Sequence, residues 1–222
     1  EAAPGTPAWW GTSTTVKRGL RLISEGALDE QSIEELSDKL GVTSRHLGRL
    51  FNQHLGVSPQ AIAQTRRLHF AKKLISETGL PMTEIAMSSG YGSVRRFNDH
   101  IRKVYNRSPT LLRDKRSVDA DAGVKLRLPY REPFDFDGML AFLAMRAVPQ
   151  IESIVEGAYV RTLQIDGETG LLNVSQDVEN RCLVCKVELT NTRPLMKVVE
   201  KVRTLFDLDA DPSEINQCLS EN

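Results

Sequence analysis

The sequence predicts two domains: an all-helical domain built on a duplicated helix-turn-helix unit, then a small α+β domain. Three observations predict it. The chain has 222 residues, which is room for one large domain or two of ordinary size. The segments Ile33–Pro59 (IEELSDKLGVTSRHLGRLFNQHLGVSP) and Met82–Pro109 (MTEIAMSSGYGSVRRFNDHIRKVYNRSP) end alike, at an offset of 49 anchored on Gly41 and Gly90 and of 50 anchored on Pro59 and Pro109. That is the mark of a duplicated unit with one residue inserted in its second copy. The formal net charge of +0 hides an asymmetry: residues 1–116 hold 18 Lys and Arg against 11 Asp and Glu, and residues 117–222 hold 11 against 18. The halves therefore differ by sign, and the basic half is the candidate for a polyanionic partner.

Hydrophobic residues at 40% and charged residues at 26% fit a water-exposed globular chain. No apolar run approaches the roughly 20 residues that span a bilayer, so no membrane partner is expected. Residues 1–15 (EAAPGTPAWWGTSTT) are rich in Pro, Gly, Ser and Thr and read as a linker from an upstream region. Trp9 and Trp10 within it suit docking of that linker or stacking on bases. The helical domain is placed at 16–116.

In the first unit Ile33, Leu36 and Leu40 recur at helical spacing after Ser32, an N-cap with Glu35 three residues on. Gly41 and Val42 make the turn, and Leu47, Leu50 and Phe51 give the second helix its apolar face. In the second unit the counterparts are Met82, Ile85 and Ala86, then Gly90 and Tyr91, then Phe97 and Ile101. A short helix, a Gly turn and a second helix form the unit that places a helix in the DNA major groove. Between the units Pro59 opens a helix striped by Leu68, Ala71, Leu74 and Ile75, and Gly79 and Pro81 stop it. At 20 residues, Pro59–Thr78 spans about 30 Å, against about 34 Å for one turn of B-DNA. Such a rod holds two reading helices toward successive grooves without dimerisation.

The residues off the apolar stripes name the expected interface. They are Ser44, Arg45, His46, Arg49 and Asn52 in the first unit, with Gly48 between them, and Val94, Arg95, Arg96, Asn98, Arg102 and Lys103 in the second, with Asp99 beside them. Arg and Asn make bidentate contacts to guanine and adenine edges, and cations gather on the equivalent helix of both units. A solvated helix face is the alternative. Arg66, Arg67, Lys72 and Lys73 on the connecting helix suit phosphate contacts or solubility equally.

In the acidic half, residues 117–123 (SVDADAG) read as an inter-domain linker, and the α+β domain is placed at 124–222. Val124–Pro129 alternates as a strand, Gly138–Ala147 is a short helix, and Tyr159–Asp166, Gly170–Ser175 and Cys182–Leu189 are strands. Leu195–Phe206 is a second helix, giving the order β-α-β-β-β-α. Cys182 and Cys185 stand three apart inside a strand, on opposite faces, and read as buried thiols rather than a redox or zinc pair. Asp135 and Asp137 read as a helix start. His54, His69 and His100 read as packing or surface residues. No catalytic residue, cofactor or metal is assigned to this chain.

These motifs carry two resemblances. RLFNQHLGVSPQ, RRLHFAKKLI and MTEIAMSSGYGSVRRFNDHIRKVYNRSP resemble the AraC/XylS-type DNA-binding domain over Val16–Lys115. The likeness is greatest to the version in Ada methylation-response regulators, through PMTEIAMSSGYGSVRRFNDHIRKVY and the lead-in EAAPGTPAW. There the lead-in follows a zinc domain that takes methyl groups from DNA phosphotriesters; this chain has no four-cysteine site. LRLPYREPFDFDGMLAFLAMRAVPQIE, YVRTLQIDG and RTLFDLDADPSEI resemble the N-terminal domain of AlkA-type 3-methyladenine DNA glycosylases over Val124–Ser220. That resemblance implies a TATA-binding-protein-like sheet without chemistry of its own, with catalysis in a following helical domain that carries a helix-hairpin-helix and an aspartate. No such hairpin appears in 117–222.

The two resemblances together imply homeodomain-like helical repeats that bind a promoter site in double-stranded DNA, with RNA polymerase as protein partner, at the nucleoid in a bacterial cytoplasm. They imply a role in the DNA-alkylation response and, in the full-length protein, excision of alkylated purines as a glycosylase. The alternative is an AraC-type regulator whose C-terminal domain senses a ligand or a partner and repairs nothing.

Overall fold

The computed structural model describes residues 12–113 and 123–220. The basic half is all helix. α1 (Thr12–Ser24), α2 (Ala27–Glu30), α3 (Ile33–Lys39) and α4 (Ser44–Leu55) precede the long α5 (Pro59–Glu77), and α6 (Met82–Ser88), α7 (Val94–Tyr105) and α8 (Pro109–Leu112) follow it. In the acidic half the order is β1 (Val124–Pro129), α9 (Phe136–Ala144), β2 (Glu152–Val155), β3 (Ala158–Ile165), β4 (Glu168–Asp177), β5 (Cys182–Leu189), α10 (Leu195–Leu205) and α11 (Pro212–Ser220). No helix among the described residues is long and apolar enough to cross a membrane.

Local chemistry starts and stops the helices where the pattern places them. Ser32 and Glu35 form a reciprocal capping box on α3. Thr43, Ser58 and Ser93 each accept the N–H three residues on, so α4, α5 and α7 begin alike. Gly56 at φ 72° and Asn106 at φ 52° end α4 and α7 in the left-handed region that glycine and asparagine tolerate best. The caps match at an offset of 50, whereas the turn glycines Gly41 and Gly90 match at 49. The inserted residue therefore lies between Gly90 and Ser93.

Two cores form. Val16, Ile23, Leu36, Leu40, Leu47, Leu50, Phe51 and Ala63 close the first unit. The second core runs from Leu74, Ile85, Phe97 and Ile101 of the second unit into Leu126, Val187, Val198 and Phe206 of the acidic half. The sheet is antiparallel throughout, in the order β1-β5-β4-β3-β2. Leu126, Cys185, Val174 and Tyr159 lie in register on one face. α9 and α10 pack there, with Phe206 5.6 Å from Phe136 and 6.0 Å from Tyr159, ring to ring.

The acidic half differs from the expected order in two places. β2 is an extra strand, and α11 is an extra helix with no buried residue. β2 has four residues and pairs only with β3, too short for a periodic signal. α9 ends at Ala144, before the expected Ala147, and its N-cap is Asp135, whose carboxylate accepts the Gly138 N–H at 2.8 Å. In the basic half α1 begins at Thr12, inside the stretch expected as linker, and buries Thr15 and Val16. Residues 1–11, with Trp9 and Trp10, lie outside the described residues, as does the 117–123 linker apart from Gly123.

The connecting helix is 19 residues long, about 28 Å. Three of its four cations are engaged by acceptors within the protein, which argues against the phosphate reading of Arg66, Arg67 and Lys73. Asp29 of α2 accepts Arg66 Nη1 and Arg67 Nε, each at 2.8 Å, and Arg67 also donates to the Leu28 carbonyl. Lys73 pairs with Glu77 at 2.8 Å, and Lys72 Nζ stands 5.2 Å from the centre of the Tyr105 ring. The Asp29 side chain is only 9% exposed. Removing one partner of a buried ion pair leaves uncompensated charge, at a cost of about 3–5 kcal/mol. Asp29→Ala is therefore expected to destabilise the basic half by about that amount, read from the midpoint of urea unfolding at unchanged slope.

Candidate nucleic-acid interface

α4 and α7 occupy equivalent places in the two units and present equivalent faces. Leu47, Leu50 and Phe51 bury one side of α4; Phe97 and Ile101 bury one side of α7. Winding at 3.6 residues per turn sets Arg45, Arg49 and Asn52 opposite the first core and Arg95, Asp99 and Arg102 opposite the second. All six are exposed. Ser44, His46, Val94 and Asn98 are half-buried at the flanks, and Arg96 and Lys103 are exposed there. Each of the residues singled out from sequence thus sits on one of two faces.

The side chains on these faces are partly ordered by their own helices. Arg49 Nη2 stands 3.1 Å from His46 Nδ1. A guanidinium only donates, so Nδ1 is the acceptor and Nε2 keeps the proton and points a donor elsewhere. Asn52 Nδ2 donates one of its two protons to the Gly48 carbonyl at 3.0 Å, which leaves the other, with Oδ1, for a further contact. Arg95 Nε lies 4.0 Å from Asp99, at high exposure, a pairing that holds the guanidinium only loosely.

Behind α7, the Tyr91 hydroxyl meets His100 Nδ1 at 2.9 Å, and Tyr91 packs edge-on against Phe97. Burial pushes the Tyr91 hydroxyl up to about 12, and burial with the nearby Lys103 holds His100 below its ordinary value. The ring is thus uncharged at neutral pH and ties the turn to the helix. His54 meets the Thr12 hydroxyl at 3.0 Å, and His69 is exposed. The histidines other than His46 serve packing or surface, as their positions suggested.

Sequence reasoning left three features of the region unmarked. Asp99, named on the second face, stands where the first unit carries Arg49, a correspondence that was not drawn. α1, docked against the end of α4, carries no motif of its own. The fixing of Arg66 and Arg67 depends on Asp29, 37 and 38 residues away, beyond the reach of any local pattern.

A helix-turn-helix domain model matches residues 36–115, and the model of the AlkA N-terminal domain matches residues 125–222. The chain is an AraC-type helix-turn-helix module joined to an AlkA N-terminal domain. The chain is 39% identical, over 226 aligned positions, to the "Probable bifunctional transcriptional activator/DNA repair enzyme AlkA" of Mycobacterium tuberculosis (strain H37Rv). The match covers 99% of this chain and 45% of that protein, so the chain spans under half of its relative's length. The chain is 28% identical over 92 residues to "DNA-3-methyladenine glycosylase 2" of Escherichia coli (strain K12), covering 41% of this chain and 33% of that one. Among solved structures, the C-terminal domain of AraT, a response regulator from Geobacillus stearothermophilus, is 27% identical at a TM-score of 0.44, covering 48% of this chain and 88% of that one.

In the AlkA-type domain the two strand cysteines stand on opposite faces. Cys185 is paired with Leu126 and Val174, and Cys182 with Pro129 and Asp177. Both are buried, while Cys218 on α11 is exposed. Burial pushes the Cys185 thiol up to about 12 and raises Cys182 as well. Only a thiolate attacks a disulfide reagent. With the native chain at pH 8, an aromatic disulfide reagent is expected to modify Cys218 alone, and the other two thiols only after unfolding. Rapid modification of two or three thiols in the folded chain contradicts the burial.

Proposed function

We propose that the AraC-type module reads a specific promoter site in double-stranded DNA through α4 and α7 and thereby regulates transcription. The carrying observation is the equivalence of the two helices. Each starts at a Thr or Ser cap, ends at a left-handed Gly or Asn, and turns an exposed, arginine-bearing face away from its core. In this reading Arg45, Arg49, Arg95, Arg96 and Arg102 contact bases, with Val94 against a thymine methyl. Ser44, His46, Asn52, Asn98 and Lys103 contact bases or phosphates. RNA polymerase is the protein partner of an activator placed this way, and the nucleoid of a bacterial cytoplasm is the site of action.

The AlkA-type domain and the Mycobacterium relative's printed name extend the proposal to the whole protein. It couples transcriptional control with repair of alkylated DNA, and its excision step belongs to polypeptide outside the residues described. A glycosylase flips its target base out of the stack. Base release from methylated duplex by the full-length protein, compared with this chain, tests that extension.

Each of Arg45→Ala, Arg49→Ala, Arg95→Ala and Arg96→Ala is expected to cost about 1–3 kcal/mol at the selected site and to relax preference at one base position. Binding to a matched set of site variants reads both effects. Equal weakening on every sequence reassigns that arginine to a phosphate. The slope of log affinity against log salt, about −0.9 per phosphate neutralised, becomes shallower only for phosphate contacts. In contrast, Arg66 and Arg67 variants are expected to change stability without relaxing preference at any single base position.

A further inference from the structure

The two reading helices belong to separate cores. α4 closes on the first core and α7 on the second. Their relative orientation therefore rests on the α5 rod and on whatever ties its ends. One tie is internal: Asp29 of the first unit holds Arg66 and Arg67 of the rod and lies against the Gly90 turn of the second unit. A Cβ built on Gly90 would come within 3.2 Å of Asp29 Oδ1.

The AlkA-type domain supplies the other ties, one to each part of the module. Toward the first unit, Glu200 on α10 lies 3.7 Å from Arg66 Nε, the same arginine that holds Asp29. Burial raises the Glu200 carboxyl above its ordinary value against the pull of Arg66 and Arg203, so this contact is made at the expense of solvation. Along the rod, Glu77 Oε2 accepts the Arg127 N–H at 2.8 Å and Lys73 donates to the Arg127 carbonyl. The side-chain pair completes the free edge of β1 as a neighbouring strand would. Toward the second unit, the buried Ser88 donates to Thr192 Oγ1 at 2.9 Å, and the Thr192 hydroxyl lies 3.5 Å from Glu84 Oε2. Beneath these ties the second core continues from α7 into the sheet without a break.

We infer that the AlkA-type domain is a brace for DNA reading, holding α4 and α7 at one spacing and one angle through Glu200, the Arg127 backbone and Thr192. These are positioning groups: they act on arginines they do not touch. The physical return is preorganisation. Once the first helix is seated, the second meets its half-site as an intramolecular event, at an effective concentration that depends on how firmly the spacing is held. This inference rests on the reading of α4 and α7 as the DNA-contacting helices.

The experiment uses the whole chain. Wild-type protein first enriches a duplex from a random-sequence pool. Affinity is then measured for that duplex, for each half-site alone, and for versions with one or two base pairs inserted between the half-sites. Each insertion turns the second half-site by about 35°, so the wild-type chain is expected to lose affinity steeply. The double variant Thr192→Val/Glu200→Arg is expected to bind the selected duplex about tenfold more weakly, to bind each half-site as before, and to respond less steeply to insertions. Thr192→Ser, which keeps the hydroxyl, is expected to behave as wild type.

A folded double variant with the wild-type insertion profile overturns the brace, as does one that loses half-site and full-site binding in equal ratio. If the double variant does not melt cooperatively, Glu77→Gln, which keeps the shape and removes the charge holding the Arg127 N–H, is judged on the same profile. A wild-type chain that enriches no duplex overturns the reading on which the brace rests, and the brace with it.

Discussion

One carboxylate organises the helical half. Asp29 is nearly out of water, and two guanidiniums from successive residues of α5 converge on it at 2.8 Å. Desolvating three charges is costly, and the two 2.8 Å contacts offset part of it, while Arg66 Nε and Nη2 are buried with no hydrogen-bond partner among the described residues. The arrangement also settles the direction of the rod. Arg66 and Arg67 reach Asp29 together only if α5 passes α2 at one rotation about its axis, and that rotation decides which side of α5 meets the sheet. The Gly90 turn closes over the same carboxylate, where a Cβ would come within 3.2 Å of Asp29 Oδ1. First unit, rod and second unit meet at this point, and neither the first unit nor the rod can shift there without stranding a charge.

What could be read from the chain alone follows the range of the interactions involved. Caps, turns and apolar stripes act within a few residues, so the repeats, the long helix, the β1 and β5 strands and the role of Asp135 were all legible. The exposed faces of α4 and α7 were legible for the same reason, since helical winding alone separates Arg45 from Leu47. Arg66, Arg67 and Lys73 were not legible. As letters they are solvent-facing cations on a helix, and only the fold brings Asp29 and the Arg127 backbone to them. β2 and α11 escaped for a different reason: four residues on an edge and a helix with no buried side carry no periodic signal.

The acidic half shows how a sheet with exposed edges is accommodated. β1 is an outer strand whose Arg127 backbone groups are taken by Glu77 and Lys73, an ion pair one helical turn apart. An unpaired edge invites association with another chain, and here a helix of the preceding module covers it. The charge asymmetry between the halves has a physical counterpart in this seam, where acidic Glu200 faces the cationic rod.

The substitution of Asp99 for the arginine at the matching point of α4 has a geometric corollary. The two faces are equivalent in place but differ in charge at this position, so in the proposed reading they would not contact identical half-sites. On that reading the duplex site would have a head and a tail, and the chain would lie on it one way round. Anything attached at the sheet end would then be held always to the same side of the site, with no second subunit needed to choose.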